Sequence, residues 1–144
     1  MCFATHVSLF TTFVSAPPGG GKIEIEVAGG LEVSGYIQAN SLDVEDLTAG
    51  QYQYSGGGTG GSIMIHTGNF TGGETGKIEV KGGAGDLTYG GGGAGGRIAV
   101  YHTHDIDAAA GYRGEYNTEG GAGAEPGASG TFSCDDVIGQ YKLF

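Results

Sequence analysis

The chain has 144 residues, the length of one ordinary domain, and 33 of them are glycine against 3 prolines. A glycine excess without proline excludes a Gly-X-Y triple helix. Sixteen acidic residues against six basic leave a net charge of −10, which excludes a nucleic-acid partner, since no basic patch can be assembled. No apolar run reaches the 18 or so residues of a spanning helix, so membrane insertion is not expected.

Residues 1–18 open with MCFATHVSLFTTFVSA. The small residues Val14, Ser15 and Ala16 have the pattern of a signal-peptide cleavage site. The basic start is missing, however, and His6, Ser8, Thr11 and Thr12 interrupt the apolar run. The preferred reading is a β-strand, a cap or an assembly joint, with Phe3, Val7, Leu9, Phe10 and Phe13 as its apolar contacts.

An internal repeat fills residues 19–131. Its units begin GGGKIEIEV, GGSIMIHT and GGRIAVYH, anchored on Ile23, Ile63 and Ile98, at intervals of 40 and 35 residues. A partial fourth unit places Phe132 another 34 residues on. Seven or eight residues past each anchor comes Leu31, Phe70 or Ile106. A third short segment follows at Ile37, at Ile78 and around Tyr112-Arg113. Alternation sends Ile23, Ile25 and Val27 to one face and Lys22, Glu24 and Glu26 to the other. The same rule turns Ile63, Ile65, Ile98 and Val100 inward.

Helical signal is confined to SLDVEDLT, residues 41–48, with Ser41 as N-cap of one or two turns. Glycine stretches at 51–61, 82–96 and 120–130 separate the units. They either pack backbone on backbone, as extended polyproline-II-like segments, or stand out as exposed loops. Residues 132–144 form a terminal strand or tail, again a cap or joint, with Val137, Ile138, Tyr141 and Leu143 as contacts.

Three short strands per unit and a recurring inward column predict an all-β chain. The expected architecture is a parallel β-helix, or β-solenoid, of three to four coils at about 4.8 Å each. A sandwich or jelly roll explains the alternation equally well, but not the repeat.

The segments GGGTGGSIMI and GGGGAGGRIAVY resemble the Gly-rich GGGxGGxI repeats of large extracellular β-solenoid proteins. The first unit, GGGKIEIEVAGGLEVSGYIQA, is also similar to coils of filamentous-haemagglutinin-type adhesins. The resemblance covers residues 19–131 and implies an extracellular or cell-surface scaffold with no catalytic motif.

Several side chains are candidates for chemistry. Asn69-Phe70-Thr71 is an N-glycosylation sequon, so an N-glycan on Asn69 is the one attached group expected; no cofactor is called for. Cys2 and Cys134 could form a disulfide, within the chain or between copies, or remain free thiols. His102, His104, Asp105 and Asp107 have the look of a metal cluster, but a polar corner explains them as well. Asp43, Glu45 and Asp46 match no calcium-loop pattern, so Ca²⁺ is not expected. The pairs Asp135-Asp136 and Asp105/Asp107 resemble glycosidase carboxylates, without a basic cluster to receive a uronate. Tyr36, Tyr52, Tyr54, Tyr89, Tyr101 and Tyr112 are candidates for stacking on sugars.

The leading expectation is therefore a non-enzymatic structural subunit that polymerises head to tail with itself into an extracellular fibre. An adhesin-type or carbohydrate-binding module, with glycans as partners, is the alternative. An enzyme acting on polysaccharide is a third and weaker one.

Overall fold

The computed structural model describes residues 17–46, 54–103 and 111–136. Among these residues seven strands follow one another: β1 (Lys22–Glu32), β2 (Tyr36–Gln38), β3 (Ser62–Thr71), β4 (Lys77–Glu79), β5 (Arg97–His102), β6 (Glu115–Asn117) and β7 (Thr131–Asp136). The fold is all-β and consists of two parallel sheets, ordered β1-β3-β5-β7 and β2-β4-β6. Neither sheet closes on itself. The apolar core lies between them, where Ile63, Phe70, Ile78 and Ile98 cluster.

Parallel neighbours need a long crossover, which a helix usually supplies. Here each crossover consists of a strand of the other sheet and a glycine-rich segment. Strand order therefore alternates between sheets, and equivalent positions of successive units lie side by side. Ile23 pairs with Ile63, Ile63 with Ile98 and Ile98 with Phe132. Leu31 pairs with Phe70 and Ile37 with Ile78. These are the columns that the repeat predicts; Ile106 lies outside the described residues.

Two local details explain irregularities in the repeat. The first unit carries one extra residue before its second apolar position. A bulge in β1 between Val27 and Gly30 absorbs it, so Leu31 still meets Phe70. In the third unit the expected Tyr112-Arg113 segment does not enter the ladder; Tyr116 does, opposite Ile78. Tyr112 instead forms an isolated bridge with Gly72. Its ring lies across Gly72, Gly76 and Gly114, where any added Cβ would strike it. The ring also contacts Phe70 and Tyr116, each at a centroid distance of 5.0 Å. The ring of Tyr112 thus rests on three glycines, and the third ladder position falls to Tyr116.

Of the predicted helix, residues 41–46 are described, and among them one 3₁₀ turn forms, Val44–Asp46. Ser41 does not cap it. Its hydroxyl donates to the carbonyls of Pro18 (3.0 Å) and Leu42 (3.2 Å), tying this corner to the start of the chain.

The glycine segments are packed, not looped out. They form two rows, one of residues 17–21, 55–61, 90–96 and 125–130, the other of 39–44, 80–86 and 117–124. Within a row, donors recur every third residue: Gly57 and Gly60 donate to Gly91 and Ala94, and Gly92 and Gly95 to Glu125 and Ala128. Across the rows, Gly83 donates to Gly58, Gly93 to Gly83 and Gly121 to Gly93, at 2.8–2.9 Å. A period of three matches the polyproline-II helix, whose amides turn outward and are free to bond neighbours. The rows approach closely because no side chain intervenes, and Gly58, Gly83, Gly93 and Gly121 are buried. The molecule thus has two cores, one of apolar side chains and one of backbone.

Candidate functional site

The middle and the ends of the stack differ. Ile63, Ile65, Ile98 and Val100 are fully buried. Their column mates Ile23 and Ile25 on β1 are only half-buried, and Phe132 on β7 is 44 % exposed. Phe132 stacks on Tyr116 at 4.0 Å and ends an aromatic run that starts at Phe70. The same inward position is therefore sealed in the middle units and open in the end units. Among the described residues, β1 and β7 each have one strand neighbour in their sheet, which leaves the other edge as a template for pairing.

The outer faces carry polar columns. On the smaller sheet Gln38, Glu79 and Asn117 share a register position. Glu79 is 7 % exposed. It accepts from Gln38 Nε2 at 2.5 Å and Asn40 Nδ2 at 3.3 Å, and its other oxygen lies 3.2 Å from Lys77 Nζ. Lys77 also reaches Glu115 at 3.3 Å. Desolvation works to raise the Glu79 carboxyl, but these donors prevail and hold it below the usual range. This cluster joins three units and was missed in the sequence, although the repeat alignment already puts its members in one column.

On the larger sheet Glu26, His66, Tyr101 and Asp135 form one column. His66 and Tyr101 stack at 4.8 Å. Lys22 pairs with Glu24 at 2.8 Å on the exposed surface, where such a bridge contributes little.

The sequence candidates distribute as follows. Asn69 lies on β3 and is exposed. Cys134 lies on β7 as a free, exposed thiol; Cys2 is outside the described residues. So are Phe3, Val7, Leu9, Phe10, Phe13, Val137, Ile138, Tyr141 and Leu143, together with Tyr52, His104, Asp105 and Asp107. Asp43 Oδ1 accepts from the Ala84 amide at 2.6 Å, which gives it a role in stacking the rows. Residues 132–136, assigned to the tail, continue the larger sheet as part of β7. Among the described residues, no group of three or more His, Cys, Asp or Glu is placed to hold a metal ion, and no helix is long and apolar enough to cross a membrane.

Of the tyrosines, Tyr112 is occupied by Phe70, while Tyr36, Tyr54 and Tyr89 are 71, 58 and 71 % exposed. Tyr54 and Tyr89 meet edge to face at 5.0 Å. Asp86 shapes the corner beside them, its carboxylate accepting from the Thr88 and Tyr89 amides at 2.8 Å.

No family model matches the chain, and no curated protein or solved structure is significantly similar to it.

Proposed function

We propose that the chain is a β-solenoid subunit of an extracellular fibre, assembling end to end. The observation that carries this reading is the gradient of burial along the inward column. Ile63 and Ile98 are sealed, whereas Ile23 is half-open and Phe132 is 44 % exposed. A second copy placed at either end would cover these groups with the pairing that already joins the units internally. The repeat's likeness to Gly-rich extracellular solenoids is in keeping with a scaffold role outside the cell. The glycine rows suit that role too, because they extend along the stack mainly by backbone bonds.

Negative-stain electron microscopy of the purified chain tests the proposal. Fibres with a short axial repeat are expected over some range of pH and salt. Discrete particles under all conditions would overturn it.

The alternative, a carbohydrate-binding module, draws on the exposed pair Tyr54 and Tyr89. Under that reading the chain stays monomeric, and Tyr89→Ala abolishes retention on a glycan array. A polysaccharide-acting enzyme has no comparable observation in its favour.

A further inference from the structure

Charge is distributed unevenly along the stack. Residues 54–103 hold three bases and three acids. Residues 17–46 hold one base, Lys22, against six acids, and residues 111–136 hold one base, Arg113, against five. The middle is neutral and both ends are acidic. Two ends brought together therefore repel, although their apolar columns match.

The internal register defines what meets at such a joint. Ser62 pairs with Lys22 on one side and Arg97 on the other, and Arg97 pairs with Thr131. Extending this register from β7 of one copy to β1 of the next sets Thr131 beside Lys22, Phe132 beside Ile23 and Cys134 beside Ile25. On the outer face it sets Ser133 beside Glu24 and Asp135 beside Glu26. Both Glu26 and Asp135 are exposed. The smaller sheet adds Glu115 beside Tyr36, Tyr116 beside Ile37 and Asn117 beside Gln38, with Glu115 already paired to Lys77. Lys22, the one lysine or arginine of β1 and β7, is engaged by Glu24 at 2.8 Å. Like charges directly opposite on neighbouring strands oppose pairing.

Resting on the end-to-end reading above, we propose that the joint seats Phe132 of one copy on Ile23 of the next, and that acid closes it by removing the repulsion between Glu26 and Asp135. The groups facing this pair are His66 beside Glu26 and Tyr101 beside Asp135, with Glu24 two residues along β1. Acid moves every ionisable group among them in one direction. Added protons remove negative charge from carboxylates and add positive charge to an imidazole. At neutral pH the same carboxylates guard the open strand edges against uncontrolled pairing. Salt acts in parallel by screening the exposed charges.

The test is the critical concentration for assembly, measured by sedimentation and microscopy in about 10 mM salt. Acid alone is ambiguous, because the net charge vanishes near the sequence pI of 4.5 and amorphous precipitation follows. The decisive comparison is therefore made at pH 7. Glu26→Gln/Asp135→Asn is expected to form fibres there at a concentration at least about tenfold below wild type, about 1.4 kcal/mol. Glu74→Gln, a charge removed from the middle of the stack, should leave wild-type behaviour unchanged. Phe132→Asn should abolish assembly of the double variant, with circular dichroism checking that the strands remain.

Equal assembly of wild type and double variant at pH 7 overturns the acid gate and leaves the fibre standing. Fibres that persist with Phe132→Asn overturn the proposed joint. Absence of fibres from every variant at every pH overturns the fibre itself.

Discussion

The Gly96 amide donates to the Val80 carbonyl at 2.7 Å, and Gly60 is pressed against both groups. A Cβ at Gly60 would overlap the Val80 oxygen and lie 2.6 Å from the Gly96 nitrogen. Both atoms belong to backbone, which cannot rotate away as a side chain would. By contrast, a Cβ at Gly29 on β1 would meet nothing within 4 Å. Gly60→Ala should therefore cost about 3 kcal/mol, the upper range for overpacking, and lower the melting temperature by about 10 °C. Gly29→Ala should be neutral or stabilise by about 0.5 kcal/mol through the unfolded state. Thermal melts followed by circular dichroism decide between packed glycine rows and rows that tolerate side chains.

Phe70 and Phe132 are one residue type in two settings. Phe70 is fully buried against Tyr112, whereas Phe132 is 44 % exposed. Phe70→Ala should cost about 4 kcal/mol, the transfer term plus a cavity. Phe132→Ala should cost the isolated chain less than about 2 kcal/mol, since much of its ring is already in water. Urea denaturation of unassembled protein at pH 7 measures both; equal losses would mean that β7 is sealed in the monomer.

Glu79 gives the chain an acid sensitivity of known sign. Its carboxyl is held below the ordinary value of 4.5 by Gln38, Asn40 and Lys77, which outweigh desolvation. A depressed folded value contributes stability that is present above about pH 4.5 and lost as pH falls through the folded value. Glu79→Gln should therefore melt lower than wild type at pH 7, and the gap should narrow towards pH 3. Melts at half-unit steps check this. A gap that does not change with pH would mean that the charge of Glu79 is irrelevant to folding.

Asn69 is exposed on β3, and its sequon partner Thr71 ends the same strand. Expression through a eukaryotic secretory pathway should add one glycan mass, removed by Asn69→Gln and by an endoglycosidase. Mass spectrometry of the intact chain reads both. Unmodified protein would show that β3 forms before the transferase can bind the sequon.

Much of the larger sheet was legible because its signal is local and repeated. Alternation in KIEIEV and SIMI marks the inward face, and the intervals between Ile23, Ile63, Ile98 and Phe132 place those residues in one column. Leu31 and Ile37 followed for the same reason. The third unit was misread at Tyr112 because spacing cannot reveal a ring lying flat on Gly72, Gly76 and Gly114. Ser41 was read as a cap because its bond partner, Pro18, lies 23 residues away.

The candidate site was less legible than the fold. The Glu79 cluster depends on partners 39 and 41 residues away, Asn40 and Gln38. The open ends were anticipated in residues 1–18 and 132–144, of which 17–18 and 132–136 are described; Ile23 was read only as a column member. By itself the sequence determined which residues face inward, because period-two alternation and a constant repeat interval are properties of the chain alone. Only the tertiary structure decided what the glycine segments do. They have no side chains to leave a pattern, and their bonds run between units, as from Gly57 to Gly91 and from Gly93 to Gly83. A backbone amide looks the same at every residue, so its partner is chosen by the stacking of the whole chain.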